Sequence, residues 1–214
     1  MNATRKLQIA TLSLLLLPAL TAMAATSGTF EEQLIAPDGM VLEVGTGSGS
    51  IEISAGPGRN VTIVGNVKVN RKSFLRGSGD SKEILQAVLD NPPIALEGDT
   101  LRIGRIEDRG IRKRVSISYE IIVPAATAVE AGTGSGSIEV DDIEAPVQAG
   151  TGSGRLTLRN IGGPVDASTG SGAIRAEQIA GAFTGNTGSW RIYLSQSAPG
   201  DVSASTGSGR LELT

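Results

Sequence analysis

The chain has 214 residues, 19 basic against 22 acidic, with no histidine, no cysteine and few aromatics (one Trp, two Tyr, three Phe). The missing cysteine excludes disulfides, thiolate catalysis and lipid attachment at an N-terminal cysteine, and the missing histidine removes the usual general base and commonest metal ligand. A net charge of −3 offers no general attraction to nucleic acid, whose affinity comes from neutralised phosphates, and so few rings leave an aliphatic core. In chain order, residues 1–24 read as a secretory signal peptide. Arg5 and Lys6 precede an apolar run from Leu12 to Leu20, and Ala22-Met23-Ala24 supplies a small-residue cleavage site. The run is too short to span a bilayer, so the mature chain is expected to be secreted or periplasmic. Cleavage removes two basic residues and no acidic one, taking the charge from −3 to −5.

Residues 25–130 read as an N-terminal β portion. Val61, Ile63, Val67 and Val69 alternate around Gly65-Asn66, which predicts strand, bend, strand. The stretch "RKSFLRGSGD" (71–80) predicts a loop. Asp80, with Glu83 three residues on, predicts a capped short helix over 81–90, its buried stripe made by Ile84, Leu85, Val88 and Leu89 and its end by "NPP". Two more strands come next, Leu101 to Ile106 and Val115 to Val123, the second closed by Pro124. This portion is expected to be antiparallel and to continue the sheets of the C-terminal half as a cap.

Residues 131–214 are organised by repetition. The triplet Thr-Gly-Ser occurs six times, beginning at Thr46, Thr133, Thr151, Thr169, Thr187 and Thr206; from Thr133 the steps are 18, 18, 18 and 19 residues. On that period Val147, Val165, Phe183 and Val202 form one apolar column, and Ala149, Ala167, Gly185 and Ala204 the next. Beyond the triplet, Ile138, Leu156, Ile174, Ile192 and Leu211 form a third, and Val140, Leu158, Ala176, Leu194 and Leu213 a fourth. Columns two residues apart mean two short strands per unit, each with one apolar face. One unit cannot bury that face alone, but a stack can. The expected fold is therefore all-β: a β-solenoid of two-strand coils behind an N-terminal antiparallel β portion with one short helix.

The Gly-rich triplet could be a phosphate cradle or a tight corner. A phosphate loop occurs once, after a strand and before a helix, often with a Lys beside its Ser or Thr. Here it recurs, strands come after it and no Lys adjoins. It reads as a corner, with glycine tolerating positive φ and leaving room for the next coil, and with Thr and Ser serving backbone groups. The threonines share parity with the inward columns and should point in, which weighs against a flat hydroxyl face for ice or crystalline glycan.

The segments "GDTLRI" (98–103), "RVSISYEIIVP" (114–124) and "VEAGTGSGSIEV" (129–140) resemble the putative-adhesin family of bacterial extracytoplasmic β-strand-repeat proteins, a domain of unknown function. The resemblance covers nearly all of the mature chain. It implies a predominantly β, solenoid-like fold outside the cytoplasm, and it supplies no catalytic residues. One departure matters: the glycine after the triplet, Gly136, Gly154, Gly172 and Gly209 elsewhere, is Trp190 in the fifth of the six.

Four places are candidate sites. Trp190, Arg191 and Tyr193 could meet a glycan ring or a partner's side chain, although Trp190 could equally fold over its corner as cover. Asp141, Asp142 and Glu144 share a loop, the one place to consider calcium, though such charge is more often solvated. The basic run Arg109, Arg112, Lys113 and Arg114, facing Glu107 and Asp108, reads as a hairpin tip that could touch anionic lipid or glycan. The strand Arg210, Leu211, Glu212 and Leu213 ends the chain inside a coil, and its open edge is expected to pair with a second copy or another envelope protein. No metal, cofactor or catalytic set is expected. The leading expectation is a non-enzymatic secreted or periplasmic module acting by surface contact (adhesion, scaffolding or protein binding); the alternative is a glycan-binding module.

Overall fold

The computed structural model describes residues 27–70 and 79–214; the segment read as a signal peptide and most of the stretch 71–80 read as a loop lie outside the described residues. The first strands are β1 (Ser27–Ile35), β2 (Val41–Thr46), β3 (Ile51–Gly56) and β4 (Asn60–Val69). Helix α1 (Gly79–Asp90), β5 (Ile94–Glu97), β6 (Thr100–Ile103), helix α2 (Arg109–Arg112) and β7 (Val115–Pro124) come next. The repeats supply strands in pairs: β8 (Ala128–Thr133) with β9 (Ile138–Asp141), β10 (Val147–Thr151) with β11 (Leu156–Ile161), and β12 (Val165–Thr169) with β13 (Ile174–Ile179). The last pairs are β14 (Phe183–Thr187) with β15 (Ile192–Gln196), and β16 (Val202–Thr206) with β17 (Leu211–Leu213).

The protein is all-β with two short helices, and its strands form two mixed sheets. One has nine strands in the order β1-β4-β7-β3-β9-β11-β13-β15-β17, the other eight in the order β16-β14-β12-β10-β8-β2-β6-β5. Each repeat gives its first strand to the eight-stranded sheet and its second to the nine-stranded sheet. Neighbouring repeats pair in parallel with like residues opposite: Val147 lies between Val129 and Val165, and Leu156 between Ile138 and Ile174. Period-2 alternation puts the apolar residues inward, so Val147, Ala149 and Thr151 are buried while Gln148 is exposed. One hydrophobic cluster of Val, Ile, Leu and Ala runs between the sheets.

Residues 49–132 separate the first triplet from the second, yet β2 pairs directly with β8, Thr46 opposite Thr133. The intervening chain goes to the far end and extends both sheets there. That portion is not simply antiparallel. β4 is antiparallel to both β1 and β7, but β7 joins β3 and β6 joins β2 in parallel.

Four local expectations need correction. The strand-bend-strand reading of 60–69 is one continuous strand, because Gly65 lies beneath the Phe30 ring, where an added Cβ would come within 2.1 Å of the ring. The strand from Leu101 ends at Ile103, since Gly104 takes φ +89° with its backbone against the Gly45 carbonyl. The basic run is no hairpin tip: Arg109–Arg112 forms a second helix, with Asp108 accepting from the Gly110 and Ile111 amides at its N-cap. The first helix begins at Gly79, two residues before the predicted 81–90, and docks through buried Leu85 and Val88.

Tyr119 is 1% exposed, edge-on to Phe30 at 6.4 Å, and its hydroxyl has no hydrogen-bond partner among the described residues. Burial alone pushes the phenol far above its ordinary value of 10.0. Above that value the unfolded chain releases the proton while the folded chain keeps it, so stability falls as pH rises beyond about 10. Tyr119→Phe should raise stability by about 1 kcal/mol at neutral pH, because it removes an unpaired buried polar atom, and should flatten that alkaline decline. Urea melts of both proteins at neutral and alkaline pH check this; a less stable variant would mean the hydroxyl has a partner.

Candidate functional site

The corner between the paired strands is built by its threonines. Thr151 Oγ1 donates to the Gly136 carbonyl of the preceding repeat at 2.9 Å and accepts the Gly154 amide of its own corner at 3.1 Å. Thr133 and Thr169 make the same two bonds, to Gly49 and Gly136 and to Gly154 and Gly172 respectively. These hydroxyls are buried, pointing in as their parity indicates. Of the two reasons expected for the corner glycines, positive φ and close approach, only the second holds. None of Gly136, Gly154 and Gly172 has positive φ. An added Cβ at these positions would fall 1.8, 1.7 and 1.6 Å from the preceding corner's carbonyl oxygen, so glycine is needed for close approach alone.

At the fifth triplet that position is Trp190. Thr187 still donates to the Gly172 carbonyl at 2.8 Å, but the Trp190 amide does not donate back to Thr187. The Trp190 side chain is largely exposed, at 59%.

Trp190 stands at the rim of a groove of about 1030 Å³ on the outer face of the nine-stranded sheet, lined also by Arg155, Arg175, Arg191, Tyr193 and Arg210. Trp190, Arg191 and Tyr193 thus line one groove. Beside them stand Arg155 and Arg175, which were not singled out, and Arg210, which was singled out only for the terminal edge; Arg155 and Arg210 share the register position of Arg191. Backbone bonds show the column: Ile138, Leu156, Ile174 and Ile192 donate to the carbonyls of Arg155, Ala173, Arg191 and Arg210 in turn. Tracking the residue before each second strand in the sequence would have found it.

These cations differ in what they face. Arg175 pairs with Glu177, which lowers the Glu177 carboxyl and raises the guanidinium, and it also lies 5.0 Å over the Tyr193 ring. Tyr193 thus has one face already taken. Arg159, at the groove's edge, is held by Glu139 and Asp141. Arg155, Arg191 and Arg210 are exposed and make no ion pair among the described residues. The loop considered for calcium is otherwise engaged: Asp141 binds Arg159, and Asp142 accepts from the Asn160 side-chain amide at 2.7 Å. No group of three or more metal-ligating side chains occurs among the described residues.

The other candidate, Arg210 to Leu213, lies in β17, the outermost strand of its sheet, as β16 is of the other. Val202, Leu211 and Leu213 are 39%, 43% and 54% exposed, whereas their register partners Phe183, Ile192 and Leu194 are 1%, 0% and 1% exposed.

Fold and surface together give an all-β protein of two sheets with a cationic groove on the outer face of the nine-stranded sheet. No family model matches the chain, and no curated protein matches it. Among solved structures it is similar to a putative cell adhesion protein from Clostridium sporogenes, 12% identical over 87% of this chain and 99% of that one, with a TM-score of 0.48. It is also similar to a putative adhesin from Bacteroides fragilis (13%, 87% and 97%, TM-score 0.35) and a putative lipid binding protein from Parabacteroides distasonis (12%, 88% and 97%, TM-score 0.28). Likenesses at this level assign no activity. No helix among the described residues is long and apolar enough to cross a membrane.

Proposed function

We propose that the chain is a non-enzymatic, secreted or periplasmic β-solenoid of two-strand coils that acts by surface contact, in the manner of an adhesin or envelope scaffold. In this reading residues 25–130 form the N-terminal portion and 131–214 the repeat stack. One observation carries the contact role: the β16–β17 end exposes side chains that the equivalent positions one repeat inward bury completely. Among the described residues no further strand pairs with the outer edges of β16 and β17, and exposed edge strands with apolar side chains have the chemistry of strand addition.

The occupant is a second copy of the chain. Antiparallel pairing of two β17 strands about a two-fold axis at Leu211 brings the apolar residues into one interface. Light scattering at tens of micromolar should give a dimer, and Leu211→Glu with Leu213→Glu should give a monomer of unchanged circular dichroism. A monomeric wild-type chain at that concentration would overturn the reading.

A second reading, glycan binding around Trp190 and Tyr193, is favoured by the exposed indole on the rim of the groove.

A further inference from the structure

We infer that this groove takes an anionic polysaccharide, a sugar polymer carrying carboxylate or sulfate groups at intervals. The inference deepens the glycan reading and rests on it for the sugar; the charge is a separate observation.

The charge comes from Arg155, Arg191 and Arg210, all exposed and without an ion-pair partner among the described residues, on a chain whose net charge is −3. They occupy one register position in the second, fourth and last repeats of the stack. Successive strands in a sheet are about 4.8 Å apart, so Arg191 stands about 10 Å from Arg155 and about 5 Å from Arg210 along the stack, measured at the backbone. Of the carboxylates on this face, Glu139 and Asp141 are held by Arg159 and Glu177 by Arg175, which leaves the exposed Glu212, opposite Tyr193, against three cations. A guanidinium fork pairs with carboxylate or sulfate through two parallel hydrogen bonds, and a fixed row of forks selects a ligand with repeated anions.

The rings supply the other half. Tyr193 is occupied on one side by Arg175, whereas the Trp190 indole is open. An indole beside a row of cations suits a polymer that is apolar on a ring face and charged at its substituents.

Spacing separates this ligand from nucleic acid. Duplex DNA presents about one charge per 1.7 Å, and its binding draws on many neutralised phosphates. Three free cations spread over about 15 Å of stack match a sparser polyanion.

The test is affinity electrophoresis of the mature chain through gels containing neutral dextran, carboxymethyl dextran or dextran sulfate, with duplex DNA as a fourth arm. Both anionic dextrans should retard the protein and neutral dextran should not, and high salt should abolish the retardation. Replacing Arg155, Arg191 and Arg210 together by Ala should weaken binding by about tenfold or more, while Arg→Lys at all three should retain part of it. Trp190→Ala should weaken it several-fold. These positions are exposed, and circular dichroism verifies that the variants fold.

Retardation by only one anionic dextran would keep the inference and identify the anion. Equal retardation by neutral dextran, lost in Trp190→Ala but not in the arginine variant, would overturn the charge inference and leave the glycan reading standing. No retardation by any dextran would overturn both. Tighter binding to DNA than to either anionic dextran would overturn the sugar assignment.

Discussion

Gly172→Ala is expected to destabilise the protein by about 3 kcal/mol or more, enough to leave much of the chain unfolded at physiological temperature. The methyl group would lie 1.6 Å from the Gly154 carbonyl oxygen and 2.6 Å from its carbon, with Thr169 Oγ1 2.8 Å away. No rotamer relieves this, because the obstacle is the backbone of the preceding repeat. Moving that backbone would break the Thr169 bonds to the Gly154 carbonyl and the Gly172 amide. The strain would pass along the stack, since the Gly154 position is crowded in the same way by the Gly136 carbonyl. Gly150→Ala is the control. It lies one residue before a triplet, and its nearest neighbour to an added Cβ is the Ser168 hydroxyl at 3.4 Å. Thermal melts of the two variants should separate clearly. Similar melting points would mean that neighbouring corners do not press on one another.

That contrast also shows how much of the molecule was legible. Threonines 18 or 19 residues apart in sequence are register partners in the eight-stranded sheet, as are the Val-Phe and Ala-Gly columns, because period-2 burial and repetition are both written in the residues. The reason for glycine was read only in part. Positive φ and close approach leave the same residue in the sequence, and only the backbone positions separate them. The N-terminal portion was harder still. Its parallel joins, β7 to β3 and β6 to β2, link segments far apart in sequence that share no repeat. Strand β5 comes after two prolines, and four-residue strands carry little periodicity. Trp190, Arg191 and Tyr193 stood out by departing from the repeat. Arg155 and Arg210 did not, because a cation at an outward position looks like ordinary solvated surface until register places it beside others.

The second large effect lies where the core columns break their pattern. The repeats place Val then Ala at paired inward positions, Val147 with Ala149 and Val165 with Ala167, but β14 carries Phe183 with Gly185. The two departures compensate in volume. The Phe183 ring, 1% exposed, extends over Gly185, where an added Cβ would lie 2.5 Å from one ring carbon and 2.7 Å from the next. Gly185→Ala alone therefore overpacks the site and should cost about 1–3 kcal/mol. Phe183→Val alone leaves the volume of the ring empty between two close-packed sheets and should cost about 2–4 kcal/mol. The double variant restores the Val-Ala pair of its neighbours, with the methyl group gained in Gly185→Ala filling part of the space that the ring left. Its cost should fall well below the sum, with a coupling energy of about 2 kcal/mol in a denaturant-melt cycle. Independent, additive losses would show that ring and glycine do not share one space, and that register along β14 differs from that of its neighbours. A cycle that closes near wild type would instead mean that the inward columns tolerate exchange of whole residue pairs while refusing single members of either.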